Sequence, residues 1–326
     1  MFNFTISQRL LSKRNAITGL TAALSIFLSA CNTLPTTGVQ SSASSMVSNP
    51  LTAKMPIVDR QGLIAYVEEQ GAGSAKVSSL YSVRPDGSDR QLIDQLNGYI
   101  YAPAWSADGQ LLAYSKQSPR EQPKIYIYDR KSKKHSLIVD TNGSNLSPSF
   151  SPDGQKLLYS STVGGNADIY ELHLDEGSTI QLTTLPSIEV QPSYASDGQS
   201  FVYTSDKKRA GRPRIYRYDF ATARATQIST EDYAASPQLS FDNQRLAYLN
   251  GRQAAIMTLA TRQIMNLAET GLDEPARLSP SGHYALYPTR TAQGVGSLVV
   301  YSLSGNTSYT ISSQAGGVVR SPIWGR

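Results

Sequence analysis

From about residue 60 onward, apolar and polar positions alternate with period two in short runs such as Lys124-Ile125-Tyr126-Ile127-Tyr128-Asp129, Asp168-Ile169-Tyr170-Glu171-Leu172 and Arg214-Ile215-Tyr216-Arg217-Tyr218. Alternation in segments rich in Ile, Tyr and Val predicts β-strands with one face buried. Each run is followed by a turn and a further short strand such as Ile180-Gln181-Leu182-Thr183, and no helix-period segment interrupts them. The order of these pieces recurs. Pro103-Ala104-Trp105-Ser106-Ala107-Asp108-Gly109 leads into an apolar run ending at Tyr114, and Pro148-Ser149-Phe150-Ser151-Pro152-Asp153-Gly154 leads to Tyr159. Weaker copies begin at Pro192, Pro237 and Pro275, the last one residue longer, and lead to Tyr203, Tyr248 and Tyr287. Tyr66 closes a sixth run whose Pro-x-aromatic segment is missing. The six tyrosines are separated by 48, 45, 44, 45 and 39 residues. A period of about 40 to 45 residues with several strands per unit predicts an all-β fold, the β-propeller with four-stranded blades.

The turn chemistry agrees. In Ser-Pro-Asp-Gly the proline presets φ, the Asp side chain bonds local backbone, and glycine takes the left-handed position, which makes a tight hairpin. Asn243 replaces that glycine once, and asparagine tolerates the conformation. The blade count follows from the chain ends. The first unit lacks the Pro-x-aromatic strand, and Ser321-Pro322-Ile323-Trp324 supplies that strand with nothing after it. Six blades are therefore expected over residues 60–326, closed by laying the C-terminal strand beside the first run, which removes exposed sheet edges.

Ahead of the repeats, Arg9, Lys13 and Arg14 precede an apolar run from Ala16 to Leu28, which ends in Leu28-Ser29-Ala30-Cys31. A basic segment, a short apolar run and small residues form the order of a secretory signal. The run is too short and too interrupted for a spanning helix of about 20 residues. Leu-Ser-Ala-Cys resembles the lipobox of bacterial lipoproteins, which makes Cys31 the expected lipidation site after removal of residues 1–30. Asn32 in the next position resembles outer-membrane sorting signals, and the expected location is the periplasmic face of that membrane. Residues 31–59 read as a tether, because Asn32 to Lys54 has no acidic or aromatic residue to build a core with.

Composition removes several classes of function. Charged residues are 17% of the chain and apolar ones 40%, so it folds rather than staying disordered. One cysteine excludes an internal disulfide and a multi-cysteine zinc site, and with three scattered histidines no metal or other cofactor is expected. The net charge of +5 falls to +2 without the three N-terminal cations, which gives no electrostatic footing for nucleic acid. There is no Gly-x-Ser-x-Gly elbow, P-loop, dinucleotide fingerprint or His-Glu-x-x-His. The repeated Asp108, Asp153, Asp197 and Asp242 read as turn residues. Asp273 and Glu274 are adjacent and would point to opposite sides of an extended segment, so they read as a solvated loop rather than a catalytic pair. Lys207, Lys208, Arg209, Arg212 and Arg214 form the one basic cluster, expected on a hairpin tip.

The repeats resemble the PD40 units in the C-terminal propeller of the TolB family over essentially all of residues 60–326. Beyond the common turn, the matches are Ala210-Gly211-Arg212-Pro213, Leu272-Asp273-Glu274, Gly294-Val295-Gly296-Ser297 and the closing Pro-x-Trp. That family has an N-terminal α/β domain, and here a lipobox and tether stand in its place. In antiparallel blades the loops leading into the first strands share a face with those joining strands two and three, and ring the channel mouth. These lead-in positions are Tyr101, Ser144, Ser147, Val190, Gln191, Asp232, Asp273, Glu274 and Arg320. The resemblance implies a protein partner on this face, a Pal-like envelope lipoprotein, with Ser144, Ser147, Val190 and Gln191 at the matching positions. The expected molecule is a monomeric, non-enzymatic envelope lipoprotein with no catalytic residues. The alternative is a propeller that binds oligosaccharide or peptidoglycan fragments, or one that is hydrolase- or lyase-like.

Replacing Cys31 by Ser is expected to abolish incorporation of labelled fatty acid and release a soluble periplasmic form. Membrane fractionation checks it, and unchanged retention of the Cys31→Ser protein refutes lipidation.

Overall fold

The computed structural model describes residues 50–326; Cys31, the signal and most of the expected tether lie outside them. Six four-stranded antiparallel sheets are arranged as blades around one axis. Their inner strands are Tyr99–Trp105 in blade 2, Asn145–Phe150 in blade 3, Glu189–Tyr194 in blade 4, Ala234–Leu239 in blade 5, Arg277–Leu278 in blade 6 and Val318–Gly325 in blade 1. The last of these closes the ring as the repeat predicts. It pairs antiparallel with Leu63–Gln70, with Ile64 opposite Trp324 and Ala65 opposite Ile323. The Glu68 carboxylate is buried at this junction and accepts the backbone N–H groups of Gln314, Ala315 and Gly317 at 2.8, 2.8 and 2.9 Å. Three donors to one carboxylate hold the chain ends together with charge-assisted bonds.

In five of the six blades the repeat proline and the repeat tyrosine face each other across one irregularity. In blade 2, Tyr101 pairs with Ser115 and Ala104 with Ala113, so Ala102 and Pro103 together oppose Tyr114 alone. The same two-against-one bulge sets Ser147 and Pro148 against Tyr159, Gln191 and Pro192 against Tyr203, Ser236 and Pro237 against Tyr248, and Ser321 and Pro322 against Tyr66. The residue before each of these prolines is left-handed, with φ between 44° and 57°. The extra residue has no place in the ladder, which suits a proline that has no N–H to offer. Opposite it the tyrosine fills the space; Tyr66, Tyr114, Tyr159, Tyr203 and Tyr248 are the largest fully buried side chains.

The hairpins after the inner strands of blades 2, 3 and 5 use the Ser-x-Asp chemistry, and blade 4 keeps the aspartate with Ala195 in place of the serine. Ser106 Oγ donates to Asp108 Oδ1 at 2.6 Å, Asp108 Oδ1 accepts the Gln110 N–H at 3.0 Å, and Gly109 is left-handed. Ser151–Asp153 and Ser240–Asp242 repeat it, and Asn243 takes the glycine's place with φ 55°. Blade 6 reads Ser279-Pro280-Ser281-Gly282, without the aspartate. Its carboxylate comes from elsewhere. Asp59, fully buried, accepts the Ser281 N–H at 2.8 Å and the hydroxyls of Ser281 and Ser279. This corrects the expected extent of the tether. Pro50–Ala53 and Ile57–Gln61 are short helical turns, Met55 packs in the core beside Tyr66 and Trp324, and the Trp324 indole donates to the Asp59 carbonyl. The folded unit thus starts before residue 60, because blade 6 needs a group that only this segment supplies.

Asp59→Ala and Glu68→Ala are each expected to destabilise the ring by about 2 kcal/mol or more, since each leaves buried donors without an acceptor. Thermal unfolding of the variants checks this. A melt identical to the parent's would show that neither carboxylate fastens the chain ends.

Candidate functional site

The six inner strands enclose a central channel of about 1340 Å³, walled mainly by Ala, Ser and Pro from the bulged segments. The bulges also stitch the wall. The Gln191 N–H donates to Ser160 Oγ of blade 3 at 3.0 Å, and the Ser236 N–H to Gln191 Oε1 and Thr204 Oγ1 of blade 4 at 3.0 and 2.9 Å. The Ser321 N–H donates to Glu274 Oε2 of blade 6 at 3.1 Å. At these three positions the left-handed turn aims the N–H at the neighbouring blade, and the bond offsets the backbone cost.

Charge is divided unevenly around the channel. The lining residues of blades 2, 3 and 4 carry no charge, whereas the opposite side contributes Arg252, Arg277, Arg290, Arg320 and Arg326 against Asp273 and Glu274. Arg320 lies between two carboxylates, 3.1 Å from Glu69 and 3.6 Å from Glu274, and Glu69 also takes Lys76 at 2.8 Å. Burial works against the Arg320 charge, but Glu274 and Glu69 outweigh it and hold the guanidinium above its ordinary pKa. Arg277 donates to the Ser236 carbonyl at 2.8 Å; burial lowers it to about 10, with Glu274 opposing, so it stays charged at neutral pH. Arg290 is exposed at the mouth and has no ion pair among the described residues. The reading of Glu274 as part of a solvated loop is overturned, since its side chain is 13% exposed and bound into this cluster. An adjacent pair need not converge on one another to be buried: Asp273 takes φ 52°, which turns Glu274 inward, while Asp273 itself stands 3.8 Å from Arg252.

The other sequence candidates divide between wall and rim. Tyr101 stacks on Tyr99 at 5.6 Å and donates to Gln117 Oε1 at 3.3 Å. Ser144 is buried and joins blade 3 to blade 2, donating from Oγ to Gln122 Oε1 at 2.7 Å. Ser147 and Gln191 are bulge residues, Val190 is half-buried at the mouth, and Asp232 is 87% exposed, with Arg214 at 3.2 Å. Sequence reasoning missed Glu69, Arg277 and Arg290. The signal for the first was two adjacent carboxylates ending an apolar strand, and for the second a charged residue inside an inner-strand segment.

A second buried acidic group lies at the junction of blades 3 and 4. Glu189, fully buried at the start of the blade 4 inner strand, accepts the Ser205 hydroxyl at 2.9 Å and that of Ser187. Its other carboxyl oxygen is buried without a partner. Burial pushes the carboxyl up to about 7, against the two hydroxyls, and the Asp168 charge beside it adds to the rise. A native pKa above the ordinary 4.5 means that the folded state holds a proton the unfolded state has released. Stability from this group is present at low pH and is lost as pH rises to about 7, in total about 3 kcal/mol. Glu189→Gln is therefore expected to match the parent near pH 5 and to be the more stable of the two at about pH 8. Urea unfolding at both pH values checks it, and a difference independent of pH refutes the assignment.

The chain matches the TolB beta propeller domain, PD40, over residues 54–326. It is 27% identical over 256 residues to the Tol-Pal system protein TolB of Francisella tularensis subsp. tularensis (strain WY96-3418), which covers 73% of this chain. The chain spans only 57% of that relative's length. Among solved structures, TolB from Acinetobacter baumannii superposes with a TM-score of 0.72 at 30% identity, covering 82% of this chain and 67% of that one. A putative TolB from Agrobacterium tumefaciens shares the fold at 17% identity, with a TM-score of 0.61 and coverage of 79% and 91%. With the repeats, the ring closure and the match over residues 54–326 in agreement, the chain belongs to the TolB β-propeller family.

Proposed function

We propose that this chain is a non-enzymatic cell-envelope lipoprotein, anchored through Cys31 at the periplasmic face of the outer membrane, whose propeller binds a protein partner across the channel mouth. The partner is a Pal-like lipoprotein in a Tol-Pal-related assembly, in keeping with the relatives named for that system. The carrying observation is the shape and charge of the mouth. A channel of about 1340 Å³ exceeds the usual 300–1000 Å³ of a small-molecule pocket, and suits an inserted polypeptide segment. Most of its ionisable groups are engaged: Arg320 and Glu274 form one cluster with Glu69 behind them, Arg277 is tied to backbone, and Asp273 faces Arg252. Groups held in this way are placed to recognise a charge rather than to transfer a proton. The arginine-rich side, with Arg290 exposed, fits acidic side chains of a partner, and the uncharged side fits apolar ones.

Calorimetric titration with purified Pal from the same organism tests this. Arg290→Glu and Val190→Asp are expected to weaken binding about ten- to a hundredfold each. Asp108→Asn, on the opposite face, is expected to leave it unchanged. Full binding by both mouth variants, or loss in folded Asp108→Asn, places the contact elsewhere.

A further inference from the structure

Beside the channel mouth, three loops of blades 3 and 4 lie edge to edge on the outer part of the same face. They are residues 162–167, the connection 182–188 and the basic loop 206–213. Hydrogen bonds fix them together. The Asn166 side-chain amide donates to the carbonyls of Leu185 and Ser187, the Glu189 N–H donates to the Ala167 carbonyl at 2.8 Å, and Asp206 accepts the N–H groups of Ile188 and Gly211, both at 3.0 Å. Their tips therefore form one continuous surface rather than three independent flaps.

The chemistry of this surface differs from the rest of the face. Val163, at the tip of Val163-Gly164-Gly165, is 44% exposed, and Leu185, followed by exposed Pro186, is 43% exposed. Next to them Lys208, Arg209 and Arg212 are exposed, and none has an ion pair among the described residues. The loop's only carboxylate, Asp206, is spent on the two backbone N–H groups and offers those cations nothing. Two other cations of the original basic cluster are occupied: Lys207 sits 3.9 Å from the Tyr216 ring centre, and Arg214 pairs with Asp232. The surface thus presents two aliphatic tips and three free cations, with no acidic group among its three loops other than Asp206.

We propose that these loops dock on an anionic phospholipid surface. Free lysine and arginine side chains near a negatively charged leaflet attract it by charge, and aliphatic tips on adjacent loops enter the headgroup region, which is the pairing that peripheral membrane binding requires. The exposed aliphatic tips beside unpaired cations favour lipid over an acidic protein, which would use the charges and leave the tips in water. The cations stand on an exposed loop with long flexible stems, suited to many mobile headgroups rather than to one fixed arrangement of charges. Docking here sets the channel mouth at the membrane edge, whichever partner occupies it.

The test uses the full chain carrying Cys31→Ser, so that no acyl chain contributes, in flotation with phosphatidylglycerol–phosphatidylethanolamine vesicles and with phosphatidylcholine vesicles. Binding is expected on the anionic vesicles only and is expected to fall with salt. The combined change K208E/R209E/R212E is expected to weaken it on the order of a hundredfold. The combined change V163S/L185S is expected to weaken it about tenfold. Melting temperatures of both variants establish that the fold is kept. Absence of binding by the parent, equal binding to phosphatidylcholine, or anionic binding untouched by the charge reversals overturns the proposal. So does capture of soluble poly-glutamate as strong as capture of the vesicles and indifferent to V163S/L185S, which assigns the surface to an acidic polypeptide.

Discussion

The bulge opposite each buried tyrosine is the constraint from which the other features follow. An inner strand of a propeller has to curve past its neighbours around a narrow axis, and a regular ladder would carry it straight. Two residues opposed to one tyrosine bend it, and the second of the two is a proline that has no ladder bond to lose. The first is forced into the left-handed region, a costly conformation for Ala, Ser or Gln. That cost is offset where the turned N–H finds Ser160, Gln191, Thr204 or Glu274 on the adjacent blade. The distortion bends the inner strand in five blades, and in three of them it also supplies a blade-to-blade bond. Blade 6 departs from it: its inner strand is only Arg277–Leu278, and it is the blade that borrows Asp59.

Closure depends on the same geometry. The strand Val318–Gly325 carries the Ser321-Pro322 bulge against Tyr66, so the last segment of the chain completes the blade that the first strand begins. A ring closed by one strand pair would open most readily there. Two buried carboxylates are placed at that weak point, Glu68 on the 314–317 segment and Asp59 on the 279–281 turn, each satisfying several donors. A buried carboxylate is tolerable only when so bonded. The junction thus converts an electrostatic liability into a fastening.

The features legible in the sequence were those built from local, repeated chemistry. Ser-x-Asp-Gly makes the same turn wherever it occurs, and Tyr114, Tyr159 and Tyr203 recur because each fills the same bulge. Closure could be read because the two incomplete units complement each other. The channel was less legible, since its contents come from groups far apart in the chain. Glu69 meets Arg320 across 251 residues, and no local pattern announces such a pair. Glu274 was misread because alternation assigns directions only to extended backbone, and the left-handed Asp273 next to it breaks that alternation. A different kind of signal was present in blade 6. The repeat lacks its aspartate there, and a turn that needs a carboxylate and has none implies that one arrives from elsewhere.

These constraints also determine where the molecule can vary. The wall residues are bound to neighbouring blades through their backbone, and its buried ions are bound to one another, so a change there alters the ring. The loop tips carry no such duty. Val163, Leu185, Arg209, Arg212, Asp232 and Arg290 project from segments whose backbone is fixed by other residues. One scaffold can thus present different chemistry to different partners. In this chain the exposed loops are basic and aliphatic beside blades 3 and 4, while the channel side of blades 5, 6 and 1 is rich in arginine. Both regions favour anionic surfaces, but they are separated by the uncharged wall of blades 2 to 4. Two anionic surfaces, one broad and one inserted, can therefore be engaged together without competing for the same cations.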